Sequence, residues 1–202
     1  MSKEYGYIGK EVTQAFRDNK GIFTPQDIIE LDQENKWTNF GQLELIQTQS
    51  YSSSVSAVDF TSIQQNIYNV HFMTFSQMSA ANDNIATMNI QLFENGVVTT
   101  ANYQHARQNA GLNPSVGFNE SKTTSADKIS TLFGSGTATG ENDSGYAYFH
   151  SLGDSSRYSY VTFQTVGLTN ENYYAGAFGG GLLRVQSEVD GIRILVSSGN
   201  YN

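Results

Sequence analysis

The chain has 202 residues, no Cys and a formal charge of −8 at pH 7. An acidic field repels phosphate backbones and anionic lipid headgroups, and no basic run offsets it, so nucleic-acid binding is disfavoured. The lack of Cys removes disulfides, thiolate nucleophiles and thiolate metal sites. No stretch approaches the ~20 apolar residues of a spanning helix, and the start MSKEYGYIGKE lacks the apolar core of a signal peptide. We therefore predict a protein made in the cytoplasm without membrane insertion.

The first part of the chain, residues 1–40, contains the only Trp and the clearest helix signal. Thr24 offers an N-cap oxygen, Pro25 suits the first helical position and Asp27 lies in the first turn, which predicts a helix over residues 25–35. A helix this short is marginal alone in water, so it must dock on something. We predict an extended anchoring arm, with an interface formed by Tyr7, Ile8, Phe16, Ile22, Phe23, Ile28, Ile29 and Trp37.

From Leu43 onward the hydrophobic period changes to two, beginning with Leu43, Leu45 and Gln47. Alternation of this kind is typical of half-buried strands. The further predicted strands cover residues 56–63, 68–75, 88–92, 145–151, 158–166, 182–186 and 192–197. Eight or nine short strands separated by turn residues predict an all-β fold, a β-sandwich or jelly-roll-like domain over residues 41–202.

The turn signals refine this prediction. Asn95-Gly96 is the preferred pair for a type I′ hairpin, so the chain should reverse into residues 97–103. Three stretches lack a strand pattern: 108–125, the loop-like 134–144, and the glycine-rich 176–181.

The last predicted strand lies very close to the carboxyl end, in the segment DGIRILVSSGN. Only Tyr201 and Asn202 follow it, so no later strand is available to pair with it. An unpaired strand edge invites pairing with another chain. We therefore expect that a neighbouring subunit or the amino-terminal arm covers this edge, or that the edge is left open.

The residues that could support chemistry are scattered. Asp83 with Glu94, or Asp143 with Asp154, could form the carboxylate pair of a glycosidase, but turn-capping roles explain these acids better. The same loops could supply Ca²⁺ ligands, although the alternating twelve-residue calcium loop is absent. His71, His105 and His150 are far apart in sequence, and two lie in aromatic-rich strand patterns. We predict no catalytic residues, no metal and no cofactor.

Tyrosines are concentrated in the last third of the chain. At a period of two they place a row of rings on one sheet face, which would suit stacking on sugar rings or contact with a partner protein. A covered subunit interface is the favoured interpretation and glycan contact the alternative. The residues are Tyr146, Tyr148, Tyr158, Tyr160, Tyr173 and Tyr174.

Several motifs, taken together, resemble a module of tailed-phage virion proteins known especially from marine phages. They are LELIQTQSYSSSVSAVDFTSI, YNVHFMTFSQMSAANDNIATMNIQLFENG and VDGIRILVSSGN, and the start Gly6-Tyr7-Ile8-Gly9 is similar to the attachment end of some phage fibre and tail proteins. Members of this family usually carry one more strand after Ser-Ser-Gly-Asn, and this chain departs from them there. The resemblance implies a virion structural protein with a carboxyl-terminal β-sandwich.

Three hypotheses follow from these observations. The first is a non-enzymatic virion component, such as a fibre, a decoration protein or a tail or neck appendage. It would assemble in the host cytoplasm as a homo-oligomer, expected to be a trimer, and bind capsid, neck or tail proteins through residues 1–40. The second is a carbohydrate- or receptor-binding module that contacts host surface glycan. The third, ranked last, is a glycosidase.

Overall fold

The computed structural model describes residues 25–33, 43–51, 53–79, 81, 87–111, 117–131, 136–138, 140–169, 172–196 and 200–201. The chain divides into two units, Met1–Leu45 and Ile46–Asn202. Six of the predicted anchoring residues lie outside the described residues, namely Tyr7, Ile8, Phe16, Ile22, Phe23 and Trp37. The predicted extended arm lies outside them as well, except for its helix.

The predicted helix is present as α1, Pro25–Gln33. It begins at the predicted proline, and Gln26 Nε2 donates a hydrogen bond to Glu30 Oε1 one turn later, at 2.8 Å. Leu31 is buried, Ile28 is half-buried and Ile29 is 50% exposed. Of the two predicted anchoring residues on this helix, Ile29 is therefore the more accessible.

The second unit contains eleven described strands in two antiparallel sheets. The strands of sheet I are β1 Ala57–Thr61, β3 Met88–Glu94, β4 Val97–Val98, β7 Ile129–Ser130 and β11 Gly191–Val196. Those of sheet II are β2 Val70–Met78, β5 Tyr103–Gly111, β6 Asn119–Ala126, β8 Asp143–His150, β9 Tyr158–Leu168 and β10 Tyr174–Gln186. Sheet I has the order β1-β11-β3-β4, and β7 also pairs with β3. Sheet II has the order β2-β8-β9-β10-β5-β6.

Both sheets contribute to one hydrophobic core, which confirms the predicted all-β, sandwich-like class. Ile90 and Leu92 of sheet I and Phe149 of sheet II are fully buried in it. Tyr103 of sheet II accepts a hydrogen bond at its hydroxyl from Leu92 N of sheet I, at 2.7 Å. This direct bond links the two sheets through the core.

The last predicted strand, β11, lies inside its sheet. It pairs with β1 on one side and with β3 on the other. Arg193 of β11 also forms a two-pronged ion pair with Asp59 of β1, with both N–O distances 2.6 Å. The expectation that another subunit or the arm must cover this strand is wrong, because two earlier strands of the same chain already flank it.

The chain after β11 is also held within the unit. Tyr201 is buried and exchanges two backbone hydrogen bonds with Val55, at 2.7 and 2.9 Å. Its aromatic ring belongs to the core, so this segment contributes to the packing of its own unit.

Other sequence predictions need correction. Residues 43–50 form no regular structure despite their alternation, and Leu43 and Leu45 are 75% and 80% exposed. The stretch 176–181 lies in the middle of β10, and parts of 108–125 belong to β5 and β6. The Asn95-Gly96 turn is confirmed, with φ of 53° and 73°. The strand after this turn is only Val97–Val98, however, and the chain then crosses to sheet II at Tyr103.

Candidate interaction surface

The outward face of sheet II carries many exposed aromatic and aliphatic side chains. They lie on the four neighbouring strands β2, β8, β9 and β10, with a few polar side chains among them. We call this surface the aromatic face. Its members are Val70, Phe72, Tyr146, Tyr148, His150, Tyr158, Tyr160, Thr162, Gln164, Val166, Tyr174, Phe178 and Leu182.

Strand alternation produces this face. Along β9 every second residue is buried, so Ser159, Val161 and Phe163 point to the core while Tyr158 and Tyr160 point outward. The same alternation occurs on β8. Ala147 and Phe149 are fully buried, whereas Tyr146 and Tyr148 are each 38% exposed on the opposite side of the strand. The most exposed aromatic side chain of the face is Phe178, at 53%.

The register of the sheet brings these residues together across strands. Phe72 lies opposite Tyr148, and His150 lies opposite Tyr160. The ring centroids of Phe72 and Tyr148 are 4.7 Å apart, and those of Tyr146 and Tyr148 are 5.9 Å apart. The planes of the first pair meet at 35° and those of the second at 77°. The rings therefore pack against one another at an angle and do not lie in one plane.

Apart from His150, the polar groups of the aromatic face are amides and hydroxyls. Thr162 and Gln164 are exposed on β9 between the rings, and the Tyr146 hydroxyl donates a hydrogen bond to Gln164 Oε1 at 2.9 Å. The outward positions from Val70 to Thr74, Tyr146 to His150, Tyr158 to Val166 and Tyr174 to Leu182 include no Asp, Glu, Lys or Arg, and the exposed Arg184 follows on β10 at the border of the face. The Glu120–Lys122 ion pair, 2.7 Å long, lies on the edge strand β6.

The predicted tyrosine row is found mainly in this face. Tyr146, Tyr148, Tyr158 and Tyr160 lie on the adjacent strands β8 and β9, and Tyr174 begins β10. Tyr173 precedes β10, and its carbonyl accepts a hydrogen bond from Thr169 N at 2.9 Å. Sequence reasoning missed Val70, Phe72 and Phe178. The alternation around Phe72 was available as a signal, whereas glycines on both sides of Phe178 hid its strand.

The carboxylates proposed as catalytic pairs do not come together where the structure describes them. Asp143 is the first residue of β8, whereas Asp154 lies in the turn after its last residue, His150, and seven steps of ~3.4 Å place the two ends of this strand ~24 Å apart. Glycosidases need the two carboxyl groups within ~10 Å. Glu94 accepts a hydrogen bond from the Thr99 hydroxyl at 2.5 Å, whereas Asp83 lies outside the described residues.

The three histidines occupy separate environments. His71 and His105 lie on the inward face of β2 and β5, in the same cross-strand row but with three strands between them, and His150 points outward. The buried His71 bonds through Nε2 to the Ile63 carbonyl, at 2.8 Å. Among the described residues, no group of three or more His, Asp or Glu side chains is placed to hold a metal ion.

Comparisons of the chain with protein-family models, curated proteins and solved structures find no match. Within the described part of the chain, no helix is both long and apolar enough to cross a membrane.

Proposed function

We propose that this chain is a non-enzymatic structural component of a phage virion, such as a fibre, a decoration protein or a tail or neck appendage. Residues 1–40 attach it to capsid, neck or tail proteins, and the β unit Ile46–Asn202 projects from the particle. The sequence resemblance to phage virion modules supports the setting, and the aromatic face supports a role in assembly.

The exposed, uncharged aromatic face is the observation that carries this proposal. Soluble proteins rarely expose a contiguous apolar patch unless it binds another surface. Tyr and Phe are enriched at protein–protein interfaces, where they supply a large contact area, and charged residues are depleted at interface cores. Phe72, Tyr148, Tyr160 and Phe178 are all 37–53% exposed on this face, which matches the composition of an assembly surface.

Binding of host glycan through the same face is the second candidate function. The observation that favours it is the presence of Thr162, Gln164 and His150 among the rings, since sugar hydroxyls need such partners. The ring planes of Phe72 and Tyr148 meet at 35° and those of Tyr146 and Tyr148 at 77°, so these rings form no flat platform for a sugar chain, which favours the first candidate. A glycan array probed with the full chain at high concentration tests the alternative, and an array without hits counts against it.

The proposal is tested on phage particles that carry the gene. Antibodies against the β unit, used for immunogold electron microscopy and for immunoblots of purified particles, should label the virion at a repeated position. A chain lacking residues 1–40 should remain folded and be lost from particles. Particles that contain no copy of the full chain would refute the proposed function, and particles that incorporate the shortened chain normally would refute the anchoring role.

A further inference from the structure

We infer that the aromatic face binds the aromatic face of a second copy of this chain. This inference rests on the proposed function in one respect: it names the partner that the assembly surface takes. The contact surface is the outward side of β2, β8, β9 and β10. Its central residues are Phe72, Tyr148, Tyr160, Thr162 and Gln164.

The charge distribution favours a second copy at this face. Two copies with a formal charge of −8 each repel one another at long range, and contact through acidic surface would bring carboxylates together. The exposed carboxylates of Glu120, Asp154 and Glu188 lie on β6 and in loops, outside the aromatic face. Because the face contains no carboxylate, two copies can meet there without bringing their acidic groups together, and the exposed Arg184 of β10 lies at its border.

The hydrogen-bonding groups of the face are compatible with the same groups on a copy. Tyr and Thr hydroxyls and Gln amides each provide both a donor and an acceptor. Gln164 already shows such a pairing when its Oε1 accepts from the Tyr146 hydroxyl. A face made of carboxylates or of ammonium groups could not satisfy a copy of itself in this way.

The size of the face also fits a pair of copies. Four strands ~4.8 Å apart and eight residue steps of ~3.4 Å along β9 give a projected area of ~500 Å². Side-chain relief makes the accessible area larger than the projection, so the face is of the same order as the ~800 Å² that each partner contributes to a stable interface.

Contact between identical faces has a symmetry consequence. When the same patch meets itself, the interface is isologous and the two copies are related by a twofold axis. The unit built through this face is therefore a dimer, and not the trimer expected from the sequence. Higher oligomers that use this face contain such dimers.

Sedimentation velocity of the full chain over a range of concentrations tests the inference. We expect a concentration-dependent dimer. Gln164→Glu changes an amide to an acid of the same shape, and Tyr160→Glu replaces a ring by an acid. Each puts one carboxylate from each copy into the interface without a positive partner on the face, and should weaken dimerisation tenfold or more. Tyr51→Glu is the matched control, because Tyr51 is 44% exposed outside both sheets while Tyr160 is 47% exposed within the face.

Each outcome decides the inference. A wild-type chain that is monomeric at all concentrations overturns it, as does a dimer that Gln164→Glu and Tyr160→Glu leave intact. Circular dichroism shows whether the variants are folded. If Tyr160→Glu is unfolded, the result for the isosteric Gln164→Glu decides the inference. If the wild-type chain is monomeric and binds glycans on an array, and if Tyr160→Glu abolishes that binding, the aromatic face is a sugar-binding surface and the inference is overturned too. If immunogold labelling finds the protein on virions but the purified chain is monomeric, the proposed function stands and this inference fails.

Discussion

At the scale of single residues, Tyr103 connects the two sheets through its hydroxyl. The hydroxyl accepts from Leu92 N at 2.7 Å and donates to the Thr99 carbonyl at 3.1 Å. Burial raises the pKa of the Tyr103 phenol, so the group keeps its proton and can make both bonds. The hydroxyl thereby satisfies a backbone N–H group inside the core.

Replacing Tyr103 by Phe should therefore lower the free energy of unfolding by ~1–3 kcal/mol, because it leaves the buried Leu92 N–H group without a partner. Urea titrations should show a lower midpoint with an unchanged slope. Tyr51→Phe, at an exposed position outside both sheets, is the control and should change stability by less than ~0.5 kcal/mol. Equal effects of the two substitutions would contradict the role assigned to the Tyr103 hydroxyl.

The buried His71 and the half-buried His105 should give the fold a pH dependence. Burial of the ring lowers the pKa of His71 from its ordinary value of 6.5, more than the hydrogen bond to the Ile63 carbonyl raises it. The pKa of His105 is also lowered, first by burial and then by the charge of Arg107. The unfolded chain, whose histidines titrate at their ordinary value, binds more protons than the folded chain once the pH falls through this range.

The free energy of unfolding should therefore decrease as the pH falls below ~6.5, and this loss should stop below the pKa of the folded state. His71→Gln retains a donor for the Ile63 carbonyl and cannot titrate. Urea midpoints measured across this pH range should vary less in His71→Gln than in the wild type, and less again when His105→Gln is added. A slope unchanged by both substitutions would show that other groups cause the pH dependence.

At the scale of elements, the glycines of β10 explain why this strand can be central in sheet II. A Cβ atom on Gly179 would lie 2.7 Å from Arg107 Cα and would also overlap the Ala106 carbonyl oxygen, both in the backbone of β5. Backbone atoms of a paired strand cannot move aside as a flexible side chain can. The close approach of β10 to β5 thus depends on a residue without a side chain.

Gly179→Ala should destabilise the β unit by ~1–3 kcal/mol, because the added methyl group forces β10 and β5 apart. Gly117→Ala is the matched control, since a Cβ atom there would meet nothing within 4 Å. Thermal unfolding of the two variants, followed by circular dichroism, should give a large drop in midpoint for the first and little change for the second. A similar midpoint for both would mean that the sheet adjusts to the methyl group.

At the scale of the whole molecule, the second unit contains a hydrophobic core of its own. Among the described residues, all buried members of this core lie between Ile63 and Tyr201, and both sheets contribute to it. We therefore expect a chain consisting of residues 46–202 to fold by itself. Its circular dichroism should have the β signature, and its unfolding should be a single cooperative transition with a midpoint within a few degrees of that of the full chain. Loss of cooperativity in the shorter chain would show that residues 1–45 complete the fold.

The sequence allowed prediction of those parts of the fold whose pattern is local. Alternation identified β9 because Tyr158 and Tyr160 recur at a period of two on the outward side while Val161 and Phe163 do so on the inward side. The same criterion failed at Leu43 and Leu45, where alternation is present but no described strand lies alongside. It failed again at Gly179, where the residues have no side chains with which to show a period. A pattern of side chains predicts which side of a strand would be buried. It does not predict whether a partner strand lies beside it.

The sequence by itself determined the all-β class, the helix at Pro25, the hairpin turn at Asn95-Gly96 and the concentration of tyrosines in the last third of the chain. These follow from preferences that act over a few residues. Only the tertiary structure decided that β11 lies between β1 and β3, and that Phe72 and Phe178 join the tyrosines on one face. Strand order and register depend on contacts between residues far apart in the chain. They are set by how the two sheets pack over a shared core, and preferences that act over a few residues do not specify this packing.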